Sequence, residues 1–299
     1  MSTARSVPAG NGVAWLTRGF GTVRKHPGTL SVVLFLFFLA ILAPVCIQLA
    51  AQFLMAGTVA SLAVQLLAAV AMMLIAALLQ VGILRLIDTL ERTGTGSAAS
   101  IFATFSDTDL IARALVFALI VVAVSIALIV VVLLALGPDM LGWYKTVLTQ
   151  PMAAAAAAPP ITRSPWLSAA IGLVGGIALF GVNTFGYAQV ALTRTGGVEA
   201  FKDGLDASAR NVLPIILNVV VVIVTLIVLL IPMLLLMLLV GFIGGLVHPL
   251  AGAVLILPIY FAYLIAMCAL IYATMYHAWR DVFGDGAVID TAPSPGLQA

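Results

Sequence analysis

From Lys25 to Arg85 the chain has no intervening Asp, Glu, Lys or Arg. Charge is scarce throughout, with 13 Lys and Arg and 11 Asp and Glu among 299 residues, or 8% of the chain. A soluble domain carries about 25%, and its helices turn a charged face to water every turn or two. This chain cannot clothe a water-soluble surface of its size, so its apolar runs must face lipid. Other absences exclude more. Cys46 and Cys268 lie in different apolar runs and form neither a disulfide framework nor a metal cluster. The net charge of +2 is too small to suggest a nucleic-acid partner. There is no Gly-x-Ser-x-Gly, no His-Glu-x-x-His and no phosphate-binding loop, and no enzymatic activity is expected. His26 and His277 fall at one end of the spans and His248 at the other, so no metal or haem site is expected and no cofactor. A long polar segment precedes a run that is itself long enough to span, so no cleaved signal peptide is expected.

What is present is a set of membrane spans. A helix crosses the hydrocarbon core in about 20 residues, and six stretches qualify: 30–54, 58–84, 110–136, 166–193, 213–242 and 252–277. The fifth is overlong and contains Pro232, which predicts a kink or a break into a re-entrant half. With the N-terminus in the cytoplasm, eleven Lys and Arg fall inside and only Lys145 and Arg163 outside. That asymmetry predicts a multi-pass protein of a bacterial inner membrane with both termini cytoplasmic. Trp143, Tyr144 and Trp166 are placed as aromatic anchors at the outer surface, and Trp15, Tyr276, Trp279 and Phe283 at the inner one. The outer loop 137–165 holds Ala153 to Ala158 and Pro159-Pro160 and reads as low-complexity linker. The tail 284–299 reads as disordered.

An internal repeat underlies the spans. Gly12-Val13-Ala14-Trp15-Leu16-Thr17-Arg18-Gly19-Phe20 precedes the first, and Gly197-Val198-Glu199-Ala200-Phe201-Lys202-Asp203-Gly204-Leu205 precedes the fifth. Small and apolar positions coincide one for one, and Ser97-Ala98-Ala99-Ser100-Ile101-Phe102-Ala103-Thr104-Phe105, before the third, follows more weakly. Val13, Leu16, Phe20 and Val23 form a helical stripe, as do Val198, Phe201, Leu205 and Val212. Such helices are expected to lie flat in the membrane interface, basic side up, with Asp206 paired to Lys202 or Arg210 one turn away. The fold expected is all-α: six transmembrane helices with three short interfacial amphipathic helices in a threefold parallel repeat. Its units are 1–95, 96–195 and 196–283.

The opening segment, with Arg24-Lys25-His26-Pro27-Gly28, Ala209-Arg210-Asn211-Val212-Leu213-Pro214 and the closing Tyr272-Ala273-Thr274-Met275-Tyr276-His277-Ala278-Trp279-Arg280-Asp281-Val282-Phe283, resembles an uncharacterised family of proteobacterial six-helix inner-membrane proteins. The resemblance covers most of the chain outside the alanine-rich loop and implies the same topology, with no activity to carry over. Where that family tends to carry Ser or Arg before the closing Arg-Asp pair, this chain has Met275 to Trp279.

No span holds an acid or base near its middle, where ion-coupled transporters keep one. The candidate intramembrane polar site is Asn183, Tyr187 and Asn218, with Asn183 expected to make an interhelical hydrogen bond. Gly172 with Gly176, and Gly241 with Gly245, are expected to let helices approach closely. Candidate contacts to anionic lipid headgroups are Arg18, Arg24, Lys25, Arg85, Arg113, Lys202, Arg210 and Arg280. Two functions stay open. The favoured one is a non-catalytic scaffold or assembly factor that binds lipid, another membrane protein or a second copy of itself. The other is a translocator of lipids or other apolar or amphipathic molecules.

Overall fold

The computed structural model describes residues 4–55, 58–149 and 158–284. Its elements are α1 (Asn11–Lys25), α2 (Pro27–Leu54), α3 (Val59–Thr93), a 3-10 helix (Ala98–Ser106), α4 (Thr108–Leu136), α5 (Met140–Thr149), α6 (Pro165–Leu192), α7 (Gly197–Arg210), α8 (Val212–Val247) and α9 (Pro249–Phe283). All regular structure among the described residues is helical. Six helices, α2, α3, α4, α6, α8 and α9, are long and apolar enough to cross a membrane, so the chain is a multi-pass membrane protein. Helix wins over strand in these Val- and Ile-rich runs because a lone helix satisfies its own backbone in lipid. Local signals set the ends. Pro27, Pro165 and Pro249 start helices, the Asp107 side chain caps α4 through Leu110 N at 3.0 Å, and Gly94, at φ +75°, closes α3. The fifth span is one helix that continues through Pro232.

The spans pair as hairpins α2–α3, α4–α6 and α8–α9, and their second helices, α3, α6 and α9, touch one another at the centre. Buried side chains gather at the end of the bundle that carries α1: Leu30 to Leu34, Leu79 to Leu90, Leu110 to Phe117, Val182 to Val190 and Ala273 to Phe283. Away from that end, α8 exposes Val220, Val224, Ile227, Ile231, Leu235 and Leu239.

Each amphipathic segment docks on a hairpin other than the one it leads into. α1 packs on α9 and α8, the 3-10 helix on α3 and α2, and α7 on α6 and α4. Small residues make up most of the docking faces, with Trp15 and Leu16 the large exceptions on α1. α1 buries Gly12, Trp15, Leu16, Gly19 and Thr22, and α7 buries Gly197, Ala200, Gly204, Ala207 and Ser208. A Cβ on Gly197 would lie 2.6 Å from the Arg113 carbonyl oxygen, and one on Gly204 3.1 Å from that of Val182. At the 3-10 helix the roles reverse, Gly82 of α3 receiving Ile101 and Thr104. The apolar stripes read from sequence therefore divide. Leu16 turns inward, whereas Val13, Phe20, Val198 and Leu205 stay exposed, and Val212 already belongs to α8.

Other expectations need correction. Trp15, Tyr276, Trp279 and Phe283 are buried core side chains, not surface anchors, because the docked α1 and the ends of α3 and α6 cover them. Trp166, 81% exposed, suits the anchoring role. The loop 137–165 includes a helix, α5, and returns to cap α4 through Thr162 N and Arg163 N to Leu136 O. Its Ala153 to Ala157, and the tail from residue 285, lie outside the described residues. Gly176 and Gly245 face open space. The close approaches are Gly175 to Leu128 and, between α8 and α9, Gly252 to the backbone of Gly241, Gly244 and Gly245, so the Gly241 and Gly245 pair does border a close approach of two helices.

Candidate functional site

The polar chemistry sits where α1 crosses the ends of α3 and α9. Those two helices have 35 residues each, well beyond the roughly 20 that span the hydrocarbon, so their last turns carry charge. Asp281 of α9 collects three donors from α1: Trp15 Nε1 at 2.9 Å, Asn11 Nδ2 at 3.0 Å and Arg18 at 2.6 Å. One turn back, His277 Nε2 lies 2.9 Å from the Thr22 hydroxyl, which also lies 2.6 Å from Glu91 Oε1 of α3. With the hydroxyl proton given to the Glu91 carboxylate, the Thr22 oxygen accepts from the Nε2–H tautomer of His277. Tyr276 donates to Asp88, which also holds Arg92.

Between these side chains opens a cleft of about 480 Å³, lined by Arg18, Gly21 and Lys25 of α1, Glu91 of α3, and His277, Arg280 and Asp281 of α9. Asp281 neutralises Arg18. Lys25 and Arg280 are exposed, and no described carboxylate forms an ion pair with either.

The basic residues singled out from sequence thus do not act as one set. Arg18, Lys25 and Arg280 converge on the cleft, while Arg24 and Lys202 are exposed elsewhere. Arg85 and Arg113 serve the fold, donating to the carbonyls of Ala191 and of Thr193 at the end of α6, where cations suit the helix dipole. Arg210 pairs with Asp206 at 2.8 Å.

The intramembrane candidates do not meet. Asn183 donates to Leu179 O of its own helix, not across helices. Tyr187 packs edge-on to Phe117 at 4.7 Å, and Asn218 donates to Gly12 O, pinning α1 to α8. A separate chain runs Trp279 to Gln189 to Asp203, joining α9, α6 and α7, and burial pushes the Asp203 carboxyl up.

A second feature is an open seam. α3 lies along α4 and α9 along α2, but α6 and α8 barely touch. The gap holds two apolar hollows of about 240 and 320 Å³ that share Ile177. A deeper one of about 60 Å³, reaching Asn218, Thr184 and Thr274, shares Ile215 with the first and Phe180 with the second. Ser208 supplies the one hydroxyl in the two outer hollows.

Sequence reasoning missed Asp281, Glu91, Thr22 and the seam. The pairing of buried indoles with nearby acids was the available signal, since an indole N–H taken from water needs an acceptor. No protein-family model matches the chain, and neither a curated protein nor a solved structure does.

Proposed function

We propose that the protein is a non-catalytic, lipid-binding scaffold of a bacterial inner membrane, with an acyl chain seated between α6 and α8. The open seam carries this reading. It runs from Val212 to Ile223 on α8, about 16 Å at 1.5 Å per residue. That is half of a roughly 30 Å hydrocarbon core, the reach of one acyl chain. The chain would build this seat from three units, each an amphipathic segment and a hairpin. Each segment would dock on the preceding hairpin, and α1 would close the ring on the last. The order of contacts supports the threefold reading, as does the matching burial of Gly12 with Gly197 and Gly19 with Gly204. The exposed Val13, Phe20, Val198 and Leu205 suit helices that rest in an interface with their outer stripe in lipid.

Filling the seam tests the seat. Gly176 lines it and an added Cβ there meets nothing. Gly176→Phe should therefore leave the thermal midpoint unchanged while removing the lipid that stays bound through delipidation, read by native mass spectrometry. Full lipid retention would defeat the acyl seat. Translocation is the second reading, favoured by the branch of the seam that reaches Asn218. Movement of labelled phospholipid between leaflets of proteoliposomes, abolished by Gly176→Phe, would select it.

The cytoplasmic placement of both termini rests on the eleven-to-two charge split. In a background without Cys46 and Cys268, Thr146→Cys and Thr162→Cys should react with an impermeant thiol reagent in intact cells, and Thr93→Cys should not. Labelling at position 93 in unbroken cells would invert the topology.

A further inference from the structure

We infer that the cleft between α1, α3 and α9 binds a phosphodiester group, separately from the apolar seam. Its described lining carries three cations, Arg18, Lys25 and Arg280, and two anions, Glu91 and Asp281, so with His277 neutral the formal balance is 3 − 2 = +1. The surplus is localised. Asp281 Oδ1 takes Arg18 at 2.6 Å, and Glu91 Oε1 takes the Thr22 hydroxyl. Lys25 and Arg280 are left facing the cleft from two different helices without an ion-pair partner among the described residues.

A phosphodiester carries one negative charge and neutralises the site, whereas a doubly charged phosphate would leave a net negative cleft. The guanidinium of Arg280 matches two phosphate oxygens and the Lys25 ammonium supplies a point charge. Gly21 contributes no side chain, and nothing lies within 4 Å of where its Cβ would be, which leaves room for the esterified substituents. Arg18 and Asp281 anchor α1 to α9, so the two free cations stand on a scaffold that is already assembled when the ligand arrives.

A glycerophospholipid headgroup and a soluble glycerophosphodiester share this chemistry, and the lipid source rests on the reading that α1 lies at the membrane surface. Delipidated protein in neutral detergent is mixed with phosphatidylglycerol, with glycerophosphoglycerol, or with diacylglycerol, which keeps the acyl chains and lacks the phosphate. Bound ligand is counted by native mass spectrometry for the wild type, Lys25→Gln/Arg280→Gln, Arg24→Gln/Lys202→Gln and Gly176→Phe. Phosphatidylglycerol retention should fall about tenfold or more in the cleft variant, and less than twofold in the variant of the outlying cations. Diacylglycerol should be insensitive to the cleft variant and lost in Gly176→Phe, so failure of the acyl seat is read apart from failure of the cleft. Glycerophosphoglycerol bound by the wild type, and lost in the cleft variant, would support the site with a soluble ligand. Equal phosphatidylglycerol retention by wild type and cleft variant would overturn the proposal. So would equal loss in both double variants, since that reports diffuse surface charge alone.

Discussion

Gly12→Ala should destabilise the protein by about 2 kcal/mol or more, at the upper end of what overpacking costs. An added Cβ there falls inside the van der Waals envelope of the Pro214 carbonyl oxygen and 2.8 Å from Asn218 N. Both are backbone atoms of the α8 helix, which cannot step aside as a flexible side chain would. α1 must lift instead, stretching the hydrogen bond from Asn218 Nδ2 to Gly12 O, now 2.9 Å. Gly21→Ala, on the same helix with nothing near its Cβ, should do the reverse and stabilise by up to about 1 kcal/mol, the helix propensity of Ala over Gly. The comparison separates two arrangements. A helix that only floats on the membrane would gain from both substitutions, whereas one docked through its glycines loses from the first. Thermal midpoints of the two variants in lipid nanodiscs decide it, and stabilisation by Gly12→Ala would sink the docked arrangement.

How much of this was legible in the sequence depends on which partner a residue answers to. The spans answer to the bilayer, which reads only length and polarity, so the stretches without charge located all six. Capping residues answer to their neighbours in sequence, and Pro27, Gly94 and Asp107 sit where such residues belong. The docking faces answer to helices far along the chain. Gly12 and Gly19 were aligned with Gly197 and Gly204 from sequence, yet the alignment did not say that these glycines face inward. Amphipathicity pointed to Val13 and Phe20 instead, because a hydrophobic stripe is defined by its contrast with water. In a membrane protein the large apolar side chains face lipid and the small ones face protein. Trp15 was misplaced for a different reason: an indole at the end of a span reads as a surface anchor until an acceptor is known to cover it. Arg18, Lys25 and Arg280 were each recognised as basic. Their convergence was not, because Arg18 and its partner Asp281 are 263 positions apart.

Removing that partner is the other large effect. Asp281→Ala takes the acceptor from three donors at once, the Trp15 indole, the Asn11 amide and the Arg18 guanidinium. The losses are unequal. Arg18 is half exposed at 47% and can return to water, so its share is that of a surface ion pair, roughly 0–1 kcal/mol. Trp15, at 1% exposure, cannot turn its N–H elsewhere, and a buried donor left unsatisfied costs about 1–3 kcal/mol. The expected total is therefore about 1–4 kcal/mol, with α1 loosening before the spans do. Asp281→Asn keeps one carbonyl oxygen for Trp15 and Asn11 and gives up only the ion pair, so it should cost about 1 kcal/mol. Double-mutant cycles assign the shares. Trp15→Phe should couple to Asp281→Ala by more than about 1 kcal/mol, and Arg18→Gln by less, measured by unfolding in a denaturing detergent. The reverse ranking would mean that charge, and not the buried indole, holds α1 in place. Lengthening the ionic screening length by lowering salt should then shift the midpoint of the wild type strongly, whereas an indole-held helix is nearly indifferent to it.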